Sequence, residues 1–465
     1  MFNFTKTSSI STLLQVVILL WFICILVISM TEVSSGLNAP SIQVNLQPVL
    51  MPPYEPAPFI STSGRTMVPL RAVTEAMNAS VDWHAPTQTI TIRHADTHIT
   101  LVPGEPWASI NGIQLPLDTP ATIVNGRTFV PLRFVAESTG ADIQWDPVYR
   151  LIAITTGPVI EAVVYEEAVY ILPTLPSAHI TITNPLNEEA VVWLGHSLLN
   201  PLHQWIDIPA VNVSLAAQET QTILREIDYE HISPNELLSG PYTSVFAIWD
   251  KDPSSPNAQR LYHWQQPEAF RLYRQQENFD ALDPKIWFSR SGQLGRSSLN
   301  PQNVTVQNGM LQIRLPRSSL QGGELQTQEK LHYGSFEASM KLPNAPSSIT
   351  GFFLYQAPDF DHEIDIEVYN RKDSEVMFTT YADGAVRREV VFPLAFDPTE
   401  SFHQYRFDYT PQAVTFYINN QLMQTWTDGY SHEPMYLMIN AWHPRWLDGT
   451  PPDRDQYLWV EWLRY

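Results

Sequence analysis

The sequence predicts a mostly β, multidomain chain. It places a C-terminal β-jelly-roll sandwich at 276–465, a middle immunoglobulin-like β-sandwich at 158–275, and an N-terminal α+β repeat domain at 37–157. A hydrophobic signal or anchor helix at 1–36 precedes them. Three observations carry this. Alternating apolar and polar runs, the strand signature, fill the chain after residue 158. An octet of residues recurs in the first third. The composition, with 38 Pro in 465 residues, 11% aromatics including 14 Trp, and only 16% charged residues, suits a loop-rich β protein.

The charge balance excludes whole classes. Lys plus Arg is 27 and Asp plus Glu 48, so 27 − 48 = −21. A nucleic-acid binder needs a cationic footprint, and docking on an anionic membrane surface needs a basic cluster. At 44% hydrophobic residues the chain is not an acidic disordered segment either. The single cysteine, Cys24, permits no intrachain disulfide and no cysteine zinc site.

Leu13 to Met30 is an 18-residue run, apolar apart from Gln15 and Ser29, with Lys6 as the one charge before it. It lies between a signal-peptide core of about 7–15 residues and a membrane span of about 20. A cleaved signal and a retained anchor both fit. Either way Lys6 orients the remainder outside the cytoplasm. The expected location is extracellular or cell-surface, in a bacterium of Gram-positive type, with membrane contact only through this segment.

In the repeat, Gly64-Arg65-Thr66-Met67-Val68-Pro69-Leu70-Arg71 returns 62 residues later as Gly126-Arg127-Thr128-Phe129-Val130-Pro131-Leu132-Arg133. Each copy reads as a strand ending in Pro, a short amphipathic helix, then a hairpin. Asn111-Gly112 and Asn125-Gly126 mark two-residue hairpin turns. Two copies that cannot each bury an apolar face are expected to share one core. The octet resembles the copper amine oxidase N-terminal-like domain, a stalk module of surface proteins. The likeness implies no copper chemistry. His84, His94 and His98 are the local histidines, and the alternation around His94 and His98 reads as strand, so no metal site is expected. Arg71 and Arg133 read as structural, with contact to cell-wall polymer as the alternative partner role.

The middle segment alternates through Ala162–Tyr165, His179–Ile182, Ala190–Leu194, Thr220–Leu224 and Tyr242–Trp249. Turn clusters at sandwich-like intervals separate these runs. It reads as a spacer. Trp193, Trp205 and Trp249 suggest a carbohydrate-binding alternative but read first as core.

The last segment carries the chemistry. In His362-Glu363-Ile364-Asp365-Ile366-Glu367-Val368-Tyr369, strand alternation puts Glu363, Asp365 and Glu367 on one face and Ile364, Ile366 and Val368 on the other. Three carboxylates in line with no interleaved cation are mildly unfavourable on a solvated strand. In a cleft they are an acid/base device, because repulsion and burial push their pKa values apart. Four strand residues separate the Cα atoms of Glu363 and Glu367 by about 13 Å. Two glutamates leaning inward can close that to the ~5–5.5 Å of a retaining glycosidase, and the spacing equally admits the ~6.5–9.5 Å of an inverting one.

This segment resembles glycoside hydrolase family 16, jelly-roll retaining endo-glycosidases with the signature E-[IL]-D-x-(x)-E. The likeness implies Glu363 as nucleophile, Glu367 as general acid/base and Asp365 as the residue tuning the nucleophile. It implies sugar contacts from Glu324, Tyr355, Tyr381, Asn440, Trp442 and Trp446. The uninterrupted motif is similar to lichenases (β-1,3-1,4-glucanases), so a mixed-linkage β-glucan is the implied substrate. A transglycosylase, a β-1,3-glucanase on a surface exopolysaccharide, and a non-catalytic glycan binder are the alternatives. Three departures bear on linkage. Asp361 stands where lichenases place a Trp, Gln326 where they place an Arg, and Thr379-Thr380 replaces a polar-aromatic pair. His362 reads as structural. No cofactor is required. A structural Ca²⁺ is implied by the likeness, without ligands that the sequence places.

Overall fold

The computed structural model describes residues 39–465, apart from 52–54, 78, 95–96, 147–148 and 234–235. The apolar segment at 1–36 lies outside the described residues. Among the described residues no helix is long and apolar enough to cross a membrane.

The chain divides into two compact units. The first comprises the described residues through Val159 with Asn184–Ala190 and Leu215–Glu219. In it each octet forms a strand, Thr66–Pro69 or Arg127–Pro131, followed by a seven-residue helix, Leu70–Ala76 or Leu132–Ser138. The proline ends each strand, and its fixed φ and missing N–H suit the entry to a helix. The two octet strands pair antiparallel, Val68 opposite Val130. Val68, Val73, Val130 and Val135 lie in one buried cluster with Ile90, Ile92, Ile152 and Ile154, so both copies share a core. Asn111-Gly112 and Asn125-Gly126 all have positive φ, as a two-residue hairpin turn of this type requires. His94 and His98 sit on facing strands, Thr89–His94 and Thr97–Leu101.

The second unit joins Ile160–Thr183, Val191–Ser214 and Thr220–Tyr465. Its first part is a pair of sheets. One is three-stranded (Val159–Tyr165, Ser177–Thr183, Thr220–Glu226). The other is five-stranded, in the order Val169–Ile171, Arg260–Tyr273, Gly240–Trp249, Ala190–Leu199, Trp205–Leu215. Trp193 and Trp249 face each other in register. Trp205 is 57% exposed rather than core, because it begins the edge strand.

The expected boundary at 275/276 is not a break between compact units. Strand Arg260–Tyr273 runs almost directly into Gln276–Glu277, which pairs with the jelly-roll strand Gln456–Arg464. Arg271 donates to both carboxylate oxygens of Asp408, at 3.1 and 2.9 Å, and to the Ser335 hydroxyl at 3.0 Å. Tyr273 donates to Glu337 at 2.7 Å. The Arg271 and Asp408 side chains are 11% and 9% exposed. A buried ion pair broken on one side leaves an uncompensated charge. The middle segment is therefore bonded into the jelly roll and not strung before it.

The jelly roll is two stacked sheets. The site-bearing sheet consists of β1 (Trp287–Ser289), β2 (Gly323–Leu331), β3 (Ile349–Gln356), β4 (His362–Tyr369), β5 (Glu375–Ala382), β6 (Ala385–Pro393) and β7 (Met435–Trp442), in the order β1-β2-β7-β3-β4-β5-β6. The opposing sheet holds Val304–Gln307, Met310–Leu315, Gln456–Arg464, Gly334–Lys341, His403–Tyr409, Val414–Ile418 and Gln421–Trp426. Between them Ile364, Ile366 and Val368 of β4 are buried with Phe352, Phe378, Phe407, Phe416 and Leu437. Phe378 and Phe416 stack at 4.6 Å. Each such side chain contributes about 1.5–3 kcal/mol by leaving water. That apolar side fixes β4's orientation, and alternation turns Glu363, Asp365 and Glu367 to the opposite face.

Candidate active site

Register places the cleft residues in rows across the sheet. One row runs Tyr436 (β7), Tyr355 (β3), Glu363 (β4), Tyr381 (β5). The next runs Gln326 (β2), Met438, Phe353, Asp365, Thr379, Glu389 (β6). The third runs Glu324, Asn440, Gly351, Glu367, Met377, Val391. Trp442, Ile349 and Tyr369 follow in the fourth. Eight of the nine site residues expected from the sequence fall on these strands. Trp446 lies in the loop after β7.

The three motif carboxyls are all pushed above the ordinary carboxylate range, first by burial. For Glu363 the charge of Glu367 adds to this, while a hydrogen bond from Asp365 pulls it back. Asp365, 4% exposed, is driven well up by burial and by both glutamates. It is the carboxyl that holds a proton most firmly and donates it toward Glu363. Glu367 is pushed up to about 7 by burial and by Glu389 across the β5–β6 pair. Burial and mutual repulsion raise all three: Glu363 is pushed up to about 8 and Glu367 to about 7, and Asp365 is the protonated donor toward Glu363.

Glu324 is 1% exposed and Asn440 3%. Their side chains bind each other: Asn440 Nδ2 donates to Glu324 Oε2 at 2.8 Å, and Asn440 Oδ1 accepts the Gly351 N–H at 3.0 Å. A Cβ at Gly351 would sit 2.7 Å from that Oδ1, so the glycine is what lets the amide lie across the cleft floor. Arg290, just past β1, donates to Glu324 Oε1 at 2.6 Å.

Tyr355 donates to Asp359 at 2.5 Å. Tyr381 packs against Phe360, ring centroids 5.2 Å apart, and Phe360 is 52% exposed. Both tyrosine hydroxyls are pushed up by burial and nearby carboxylates. Trp446, 54% exposed, stands edge-on to Tyr369 at 5.8 Å. Its loop is clasped by Arg296, which donates to the carbonyls of Pro444, Gly449, Ser347 and Leu447. Trp442 lies against Gly295, where a Cβ would clash at 2.4 Å. His362 points to the other side and bonds Ser431 at 2.7 Å.

Sequence reasoning missed Arg290, Arg296, Phe360 and Glu389. Only Glu389 carried a signal: two strands from the motif, on the alternating face. Among the described residues no group of three or more His, Cys, Asp or Glu is arranged to hold a metal ion.

A strand face of adjacent carboxyls flanked by half-exposed aromatics is the arrangement expected of a sugar-cleaving site. Residues 295–462 match the family described as glycosyl hydrolases family 16. A beta-glucanase of Brevibacillus brevis is 30% identical over 208 residues, covering 41% of this chain and 80% of that protein. The chain belongs to glycosyl hydrolases family 16. A beta-glucanase of Paenibacillus polymyxa is 28% identical over 186 residues, covering 38% of this chain and 78% of the relative. The solved beta-glucanase of Bacillus licheniformis is 27% identical, with a TM-score of 0.38, over 41% of this chain and 96% of its own. Residues 43–154 match the copper amine oxidase N-terminal domain, covering both octets of this glycoside hydrolase.

Proposed function

We propose that this glycoside hydrolase is a retaining endo-β-glucanase that acts outside the cell, displayed on its N-terminal repeat domain. The observation that carries the chemistry is the strand ladder Glu363–Asp365–Glu367, with Asp365 buried between two half-buried glutamates and Glu367 titrating near neutrality. A general acid is most effective with its pKa near the working pH. Glu367 gives its proton to the leaving glycosidic oxygen while Glu363 attacks the anomeric carbon, forming a glycosyl ester. Asp365 donates a hydrogen bond to Glu363 and withdraws it as the ester forms. Glu367, now ionised, takes a proton from water, which attacks the same carbon and releases Glu363.

The relatives named beta-glucanase support a β-glucan substrate, and the uninterrupted motif favours mixed β-1,3-1,4 linkages. The rim supports an uncharged polymer: Asp359, Glu363, Asp365, Glu367 and Glu389 face it, while Arg290 is bound to Glu324. Cell-wall polymer as a partner of the repeat domain belongs to the same reading.

The test is reducing-end release from barley β-glucan, laminarin and xyloglucan by the full chain, beside Glu363→Gln. The full chain is needed because Arg271 and Tyr273 are bonded into the jelly roll. Release from mixed-linkage glucan that disappears in the variant is expected. Azide separates the two roles. Glu367→Ala with azide should yield a glycosyl azide of retained configuration, and Glu363→Ala one of inverted configuration. The opposite pairing overturns the assignment.

A further inference from the structure

We propose that Arg290 is a positioning residue of the cleft, fixing the Glu324 carboxylate so that it accepts a hydroxyl of a bound sugar remote from the bond being cut. The proposal rests on the glucanase reading above. Its basis is a chain of directional bonds. Gly351 N–H fixes Asn440 Oδ1, so the Asn440 amide must turn its N–H to Glu324 Oε2. Arg290 supplies an N–H to Oε1 at 2.6 Å. Both oxygens therefore face donors, an arrangement that favours the ionised carboxylate.

Arg290 is itself held: its backbone N–H donates to the Glu324 carbonyl at 3.0 Å, extending the β1–β2 ladder by one residue. The guanidinium reaches a side chain that is 1% exposed while remaining 37% exposed itself. Burial drives Glu324 up and Arg290 is the first of the groups that pull it back. The other charged or titratable groups facing this corner are Glu363 on β4 and Tyr355 on β3. β7 contributes the neutral Asn440. Three strand spacings separate Glu324 from Glu367, about 14 Å, too far to join in bond cleavage and suited to a sugar one or two units away.

Gln326 offers an independent handle. It lies two residues along β2 on the same face as Glu324, about 7 Å away, within reach of an arginine side chain. A cation placed there can replace the one removed at 290.

The experiment compares the full chain with Arg290→Met, Arg290→Lys and Arg290→Met/Gln326→Arg, on barley β-glucan from pH 5 to 9. In Arg290→Met, KM is expected to rise about tenfold near pH 6 and to fall as pH rises, because Glu324 then ionises late. kcat should stay within about threefold. Arg290→Lys and the double variant should recover most of the loss. A pH-independent loss, or a fall in kcat with KM unchanged, overturns the proposal. A second arm needs no substrate. The Tm deficit of Arg290→Met should widen from pH 5 to pH 8 and vanish in a Glu324→Gln background. If wild type cleaves no glucan, the functional reading fails. The calorimetric arm still decides whether Arg290 holds Glu324 ionised, and a deficit flat with pH refutes that.

Discussion

Glu367→Gln should cut turnover sharply and, above pH 5, stabilise the protein. The Glu367 carboxyl is raised from 4.5 to about 7. At ~1.4 kcal/mol per unit this is about 3 kcal/mol. The sign follows from proton binding. A carboxyl with a raised folded-state pKa keeps its proton in the fold while the unfolded chain has lost it. Stability is therefore full below pH 4.5 and declines as pH rises to 7. Glutamine has the same shape and no proton to lose. The variant should match wild type at pH 4 and exceed it by about 3 kcal/mol at pH 8.5, a rise of roughly 5 °C in Tm for a unit of this size. Calorimetry at the two pH values measures it. In parallel kcat/KM on glucan should fall by about 10²–10⁴, and less on an aryl glycoside whose leaving group needs no proton. A Tm difference that is flat with pH, or negative at pH 8.5, would refute the claim that this carboxyl is held protonated by burial and Glu389.

Two further outcomes follow from the polar contacts. Arg271→Met removes the two shortest guanidinium contacts of buried Asp408 and leaves it Arg406 at 3.6 Å and the Ser335 hydroxyl, and should cost the full chain about 1.5–3 kcal/mol in urea unfolding. Pairing it with Asp408→Asn should return part of that, and a loss under ~1 kcal/mol would mean the two parts of the unit are not braced there. Arg296→Met releases the loop that carries Trp446, so it should raise KM by about the same factor as Trp446→Ala. The double variant should be no worse than the poorer single one, and additive losses would show that Arg296 does not act through the loop.

What the sequence made legible were patterns with a short period. Glu363, Asp365 and Glu367 could be assigned to one face because alternation is a property of the strand itself. The two Asn-Gly turns were readable because few residues tolerate positive φ at both positions. Cross-strand neighbours have no local signal. Glu324 and Asn440 touch although they are 116 residues apart. Arg290 sits in an unremarkable Ser-Arg-Ser, and its partner is named only by the β1–β2 register. The bond between Arg271 and Asp408 spans 137 residues and crosses the boundary inferred from a change of pattern at 275/276. Patterning finds where strands change style, not where polar contacts continue across the change.

The same limit explains why like residues on one sheet acquire unlike chemistry. Glu324, Glu363, Asp365 and Glu367 all occupy the cleft face, Glu324 and Asp365 buried and Glu363 and Glu367 half-buried. Burial alone would keep each of them neutral. What separates them is the set of partners that register delivers: a guanidinium and an amide for Glu324, a carboxyl proton for Glu363, another carboxylate for Glu367. The guanidinium, the amide and the carboxyl proton favour the charged form, while a neighbouring carboxylate, Glu367 for Glu363 and Glu389 for Glu367, favours the neutral form. The strand motif Glu363-Ile364-Asp365-Ile366-Glu367 leaves both glutamates raised, to about 8 and about 7, and the hydrogen bond from Asp365 is what draws the nucleophile back toward its ionised form.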